Sequence, residues 1–353
     1  MMKSFSFWLR LLFSVGLIAF LAYTVDLDEA VTIIARANPI HLLIALAFAL
    51  GDRLIMAFKW NVLLKAKKIE IPLLDITGTY LITTFLGLFL PATVGGDALR
   101  AYAVCKDKHK VGDVVSSIIV ERILGFMALF IFVLVSIVLS IFVFGQDFFE
   151  GVWNLFWIFL ALLIGSIVFI VVSFNEKFLR YTKVLLNKRA GKLLEHKFAK
   201  KLIEIYDSYK GYQGNLLALG LFLGLSLIEN LFPLFWTYFL ALAFQIEIPL
   251  LYFFILIPIV LVLVRLPISL DGFGIQEGTF VYFLGLVGIM RPEALLLGLA
   301  SHFLAIISVL PGGLLYSIRG LNFHVIPSRH ANESIFQRPV DVAADTLHSK
   351  IDA

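Results

Sequence analysis

Apolar residues run along this chain in blocks of about twenty, the length a helix needs to cross a bilayer. Lysine-rich polar segments separate the blocks. The pattern predicts full spans over roughly 7 to 25, 40 to 64, 116 to 144, 152 to 173, 215 to 244 and 294 to 318. Two more stretches, 71 to 105 and 249 to 290, are apolar but interrupted by proline and glycine. The first carries Pro91-Ala92-Thr93-Val94-Gly95-Gly96-Asp97-Ala98-Leu99-Arg100, the second Pro267-Ile268-Ser269-Leu270-Asp271-Gly272-Phe273-Gly274-Ile275-Gln276-Glu277. Backbone that leaves a helix at membrane depth must be buried in protein or line a watery cavity, so both stretches are site candidates.

Loop charges decide how the interrupted stretches are drawn. Lys65, Lys67 and Lys68 precede the first, and Lys106, Lys108 and Lys110 follow it. Both flanks are therefore expected on the cytoplasmic side, with an even number of crossings between them. A re-entrant hairpin turning at Pro91 to Asp97 is the simplest solution, and a pair of full spans is the alternative. The segment 174 to 213 holds ten Lys/Arg against four Asp/Glu, which marks it as cytoplasmic. Within it Leu194, Phe198, Leu202, Ile205 and Tyr209 recur at helical spacing, as an interfacial helix on an anionic leaflet or a solvated linker helix requires.

Counting on from there makes 249 to 290 a second hairpin, entering from the opposite face. The expected fold is an all-α polytopic membrane protein. It has about six full spans and two re-entrant hairpins, with halves 40 to 144 and 215 to 318 related as an inverted repeat. Residues 1 to 320 form the transmembrane domain, and 321 to 353 read as a disordered polar tail. Lys3 and Arg10 before Leu11 to Val25 resemble a signal peptide's charged region, but no A-x-A pattern follows, so a retained first span is expected. Both termini are expected in the cytoplasm, the chain lying in the inner (plasma) membrane.

Composition supports this class. The 353 residues are 60% hydrophobic and only 15% charged, with a mean hydropathy of +0.96. The single Cys105 excludes an intramolecular disulfide, and seven scattered histidines show no metal-ligand spacing. The net charge of +4 sits in loops as a topology signal rather than as a nucleic-acid surface. No G-x-x-x-x-G-K-[ST] loop is present, and no cofactor is expected.

Charges inside spans cost about 2.5 to 3.5 kcal/mol each at a helix centre and are functional hypotheses by default. Asp52 and Arg53 fall midway along the second span, Glu229 and Asn230 midway along 215 to 244. Adjacent residues point about 100° apart on a helix, so Arg53 is expected to pair with Glu229 or Asp97 rather than with Asp52. Gly95 and Gly96 are expected to let backbone amides approach an anion at the start of a half-helix near Asp97. Asp97 is there a candidate N-cap or ligand, and Arg100 a candidate phosphate contact. In the second hairpin Arg265, Asp271, Gly272, Gly274 and Glu277 form the corresponding set. Pro91, Pro267, Glu121 and Arg122 are candidate structural or gating positions. Pro311-Gly312-Gly313 predicts a kink or close helix packing. His302 reads as a satisfied interior histidine, and Trp60 as an interfacial anchor.

The set Pro91 to Arg100, Glu121-Arg122-x-x-Gly125, Pro267 to Glu277 and Leu310-Pro311-Gly312-Gly313 resembles the lysylphosphatidylglycerol synthase transmembrane-region family, also called flippase-like, over about residues 5 to 320. In two-part synthases of that kind this region moves the aminoacylated lipid between leaflets, while a cytosolic domain makes it. The resemblance thus implies translocation of an anionic or aminoacylated phospholipid or a polyprenyl-linked lipid, with a separate lipid-modifying enzyme as a candidate partner. A membrane-embedded transferase or an accessory subunit acting on lipid-linked sugars is the alternative. The family often has Gly-Gly where this chain has Asp271-Gly272, an extra acid suited to selecting a cationic head group. Arg53, Arg100 and Arg265 are then expected to offer phosphate contacts, and Asp97, Glu229 and Glu277 to bind a cationic head group or carry protons, with Glu229 the position to test.

Overall fold

The computed structural model describes residues 32–90, 93–105, 111–144, 152–175, 197–266, 269 and 271–320. The expected span over 7 to 25, the polar tail and most of the basic linker lie outside them. The first half is built of α1 (Pro39–Ala66), α2 (Leu73–Gly87), α3 (Thr93–Cys105) and α4 (Val111–Phe144). Next come α5 (Val152–Phe174) and α6 (Lys197–Lys210). The second half is α7 (Leu216–Glu229), α8 (Leu231–Ala243), α9 (Leu250–Val264), α10 (Ile275–Gly285), α11 (Arg291–Ile307) and α12 (Leu310–Arg319). No strand occurs among the described residues.

Five helical segments are long and apolar enough to span a bilayer: Pro39–Ala66, Val111–Val143, Trp153–Phe174, Leu216–Ala243 and Arg291–Arg319. Two of them are broken by proline. Pro233 has no N–H to donate to the carbonyl of Glu229, where α7 ends, and Pro311 has none for Ile307, where α11 ends. The interrupted stretches are pairs of short helices. α2 and α9, 15 residues each, reach about 22 Å against a hydrocarbon core of about 30 Å.

Asn38 opens α1, its Oδ1 accepting from the Ile40 amide at 2.9 Å with Pro39 next in the chain. The Asn38 amide donates to Ala243 O (2.8 Å) at one end of α1, and Tyr212 OH donates to Leu63 O (3.0 Å) near the other. The α7–α8 pair therefore runs antiparallel to α1. At the lysine-rich end α6 docks on α4 and α5. Ser208 meets Ser116 at 2.8 Å, Tyr209 meets Ser173 at 2.7 Å, and Tyr206 donates to the Ser173 carbonyl. Lys67 caps this corner through the Ser208 carbonyl and the Tyr212 ring, and burial holds its ammonium below the ordinary lysine range. The tyrosine side of α6 thus faces protein, while Leu202 stays exposed.

The halves share a register that the spacing of their motifs did not suggest. Pro39 and Leu216, Ala66 and Ala243, Leu73 and Leu250, and Gly87 and Val264 are each 177 positions apart. The same offset carries Ile69-Glu70-Ile71-Pro72-Leu73-Leu74 onto an identical Ile246-Glu247-Ile248-Pro249-Leu250-Leu251. Both copies follow a helix end closed in the same way. Lys68 (φ 58°) and Gln245 (φ 59°) turn left-handed, and the next amides, Ile69 and Ile246, donate back to Leu64 O (3.0 Å) and Ala241 O (2.9 Å). The isoleucines of both copies are buried.

Candidate functional site

Charged residues from both halves gather in the interior. Lys59 of α1 bonds to Glu229 of α7 and lies 3.3 Å from Ser226 Oγ, a buried ion pair at a lysine the sequence did not single out. Glu229, expected as the partner of Arg53, is taken by Lys59. Arg53 lies 3.5 Å from Asp52 and donates through Nε to Ser308 Oγ at 2.9 Å. The expectation that Asp52 and Arg53 do not meet fails because the long arginine side chain folds back over the 100° between their Cα–Cβ vectors. Ser308 sits at the break between α11 and α12, so this bond ties α1 to the Pro311 kink.

In the first hairpin α3 starts at Thr93, four residues before Asp97, which is therefore inside the helix and not its N-cap. The Asp97 carboxylate accepts from Arg122 Nε (2.9 Å) and NH2 (2.7 Å) of α4 and from Arg100 NH2 (3.0 Å). Arg100 also pairs with Glu121 Oε2 at 2.8 Å and packs its guanidinium over the rings of Trp60 (4.5 Å) and Tyr80 (4.7 Å). It is 3% exposed. Arg100 thus forms a structural joint between α3 and α4, with its Nε left without a hydrogen-bond partner. Trp60 is no interfacial anchor: it is fully buried and donates to Ser117 Oγ at 3.0 Å.

The glycines are spent on packing. A Cβ on Gly96 would meet Thr83 O at 3.2 Å, and one on Gly95 would meet Leu90 Cβ at 2.6 Å. They let the two hairpin arms touch, where an approach of backbone amides to a ligand was expected. Gly312 plays the same part between α12 and α2, since a Cβ there would lie 2.1 Å from Leu81 O. Pro91 and Pro267 lie outside the described residues.

The second hairpin turns through Asp271 (φ 49°), Gly272 (φ 84°) and Gly274 (φ 83°), left-handed geometry that explains the glycines there. Glu277, fully buried, accepts from the Gly274 amide at 2.6 Å and faces His302 Nδ1 at 3.1 Å through its other oxygen. His302 stacks on Phe273 with ring centroids 3.8 Å apart, and its Nε2 lies 4.0 Å from Asp271 Oδ2. Glu277 is thus a cap and a histidine partner in one.

Two charges remain uncommitted. Arg265 lies within Coulombic reach of Asp52, Glu229 and Arg122, yet its surface is open. Among the described residues it has no ion pair, and its contact is the Phe126 ring at 5.8 Å. Asp271 reaches electrostatically to His302 and Arg53, yet its carboxylate is 58% exposed. Arg122, beside Asp97, is half exposed as well. The buried Ser269 hydroxyl between Arg265 and Asp271 in the chain has no hydrogen-bond partner.

No metal-binding group of three or more His, Cys, Asp or Glu occurs among the described residues. No curated protein and no solved structure gave a significant match. Over residues 7–313 the chain matches the model of the lysylphosphatidylglycerol synthase transmembrane region. It belongs to that family and is a multi-pass membrane protein of lipid handling.

Proposed function

We propose that this chain moves a lipid with a phosphate-bearing head group between leaflets by alternating access, without ATP hydrolysis. The candidate cargo is an anionic or aminoacylated phospholipid or a polyprenyl-linked lipid, in the inner membrane with the lysine-rich end in the cytoplasm. The observation that carries this reading is Arg265, an exposed arginine at the end of α9 with no carboxylate of its own among the described residues. An unpaired guanidinium there is stabilised by an incoming phosphate, which it can hold through two parallel hydrogen bonds. Asp271, on the other side of the same turn, suits a cationic part of the head group.

The matching register of the two halves supports reading them as an inverted repeat. Beyond the shared register, α2 packs on α12 as α9 packs on α4, and α1 meets α2 as α8 meets α9. Halves so related can exchange conformations and open a site between them to either face. The test is leaflet exchange of fluorescent phosphatidylglycerol, its aminoacylated form and a polyprenyl phosphate in proteoliposomes. Wild type should move at least one, and Arg265→Gln should slow it at least tenfold with unchanged thermal stability, because no ion pair is lost. A wild-type chain that moves none of them and instead co-purifies with a soluble lipid-modifying enzyme would be that enzyme's membrane partner.

A further inference from the structure

The common register sets two joints side by side. Each links the second arm of a hairpin to the span that follows. In the first half the joint is Arg100 with Glu121, and in the second it is Glu277 with His302. Arg100 and Glu277 occupy corresponding positions, 177 apart like the helix ends, and the charge on the hairpin arm is reversed. The first joint is permanently ionised, since an arginine does not release its proton in proteins. The second is built from two groups that both exchange protons.

We propose that Asp271, His302 and Glu277 form a proton-binding relay that lets the chain exchange a proton for its lipid, an inference that rests on the lipid-moving reading above. The two ring nitrogens of His302 face two different carboxylates. Nδ1 is 3.1 Å from the buried Glu277 Oε1, and Nε2 is 4.0 Å from Asp271 Oδ2, on a side chain that is exposed. Phe273, stacked on the ring, holds it in that plane. Charged groups face the relay from several elements. α10 supplies Glu277, the turn supplies Asp271, and α1 supplies Arg53, whose field reaches Asp271. α8 presents the neutral Trp236 and Thr237, which bond to the adjacent Ser301.

The proton moves as follows. With Glu277 ionised, neutral His302 carries its hydrogen on Nδ1 and donates it to Glu277. A hydronium at the exposed Asp271 carboxylate protonates it and leaves as water. Rotation of this exposed side chain closes the 4.0 Å gap to hydrogen-bond distance, and Asp271 then passes that proton to Nε2 while Nδ1 releases its own to Glu277 Oε1. The relay ends with Glu277 neutral, His302 neutral in its other tautomer and Asp271 ionised again, one proton having been taken from water. Glu277 also accepts the Gly274 amide at the tip of the turn, and a protonated carboxyl is the weaker acceptor. Loading therefore loosens the hairpin tip beside Arg265, the candidate phosphate contact.

Two measurements test this on the full chain. In proteoliposomes with fluorescent phosphatidylglycerol, an imposed pH gradient should change the rate of lipid movement. His302→Gln and Glu277→Gln should lose that response, while His41→Gln, on α1 and outside the relay, keeps it. Lipid movement indifferent to the gradient in wild type overturns the relay and leaves the lipid-moving reading standing. No lipid movement in any condition overturns that reading, and the second measurement then still decides proton binding. Infrared difference spectra across pH should show a protonated buried carboxyl band in wild type. The band should be missing in Glu277→Gln and weakened in His302→Gln, with the amide bands reporting intact helices. A band absent from wild type, or unchanged in Glu277→Gln, overturns the relay.

Discussion

Lys59 and Glu229, 170 positions apart, meet in a buried ion pair that joins α1 of the first half to α7 of the second. Their side chains are 4% and 10% exposed. Removing one partner strands the other charge at low dielectric, which costs about 3 to 5 kcal/mol. Glu229→Gln and Lys59→Met should each lower the thermal midpoint in detergent well below wild type. The double variant should recover most of the loss, because removing both charges leaves none uncompensated. A double variant as unstable as the sum of the singles would mean that a cation other than Lys59, such as Arg265, answers the charge of Glu229.

How much of this arrangement was legible in the sequence depends on the range of the signal. Length and hydropathy gave the spans, and lysines around 65 to 68 and 106 to 110 gave a hairpin between them, because both depend on residues near in sequence. Partners did not emerge. Nothing near Lys59 in sequence points to Glu229, and only the packing of α7 on α1 brings the two together. Gly95 and Gly96 looked like a ligand cradle because glycine permits close approach of any kind. Whether a phosphate or Thr83 O fills the space is a tertiary fact. The repeated Ile-Glu-Ile-Pro-Leu-Leu, in contrast, was in plain view, and aligning the halves on it would have set Asp52 against Glu229 and Arg100 against Glu277.

Gly312 is the contact point of α12 on α2. Gly312→Ala would place a methyl 2.1 Å from Leu81 O, backbone that is unable to rotate away, and α12 must lift off. Overpacking of this kind costs about 1 to 3 kcal/mol. Gly125→Ala serves as the comparison, since nothing lies within 4 Å of its Cβ position. Thermal unfolding in detergent should separate the two clearly, with Gly125→Ala at or slightly above wild type, as helix propensity expects. Equal midpoints would show that α12 has room to shift.

Asp271 holds a left-handed conformation at φ 49° where a side chain costs about 1 kcal/mol relative to glycine. Asp271→Gly should therefore raise the thermal midpoint, and Asp271→Val should lower it, since a β-branched residue tolerates that region worst. The same glycine variant removes the exposed acid of the turn. If Asp271 holds the cationic part of a head group, the ratio of aminoacylated to plain phosphatidylglycerol moved in proteoliposomes should fall in Asp271→Gly. A stabilised variant with an unchanged ratio would leave Asp271 without a part in choosing the head group. A lower midpoint would mean instead that its charge facing His302 outweighs the strain of its backbone.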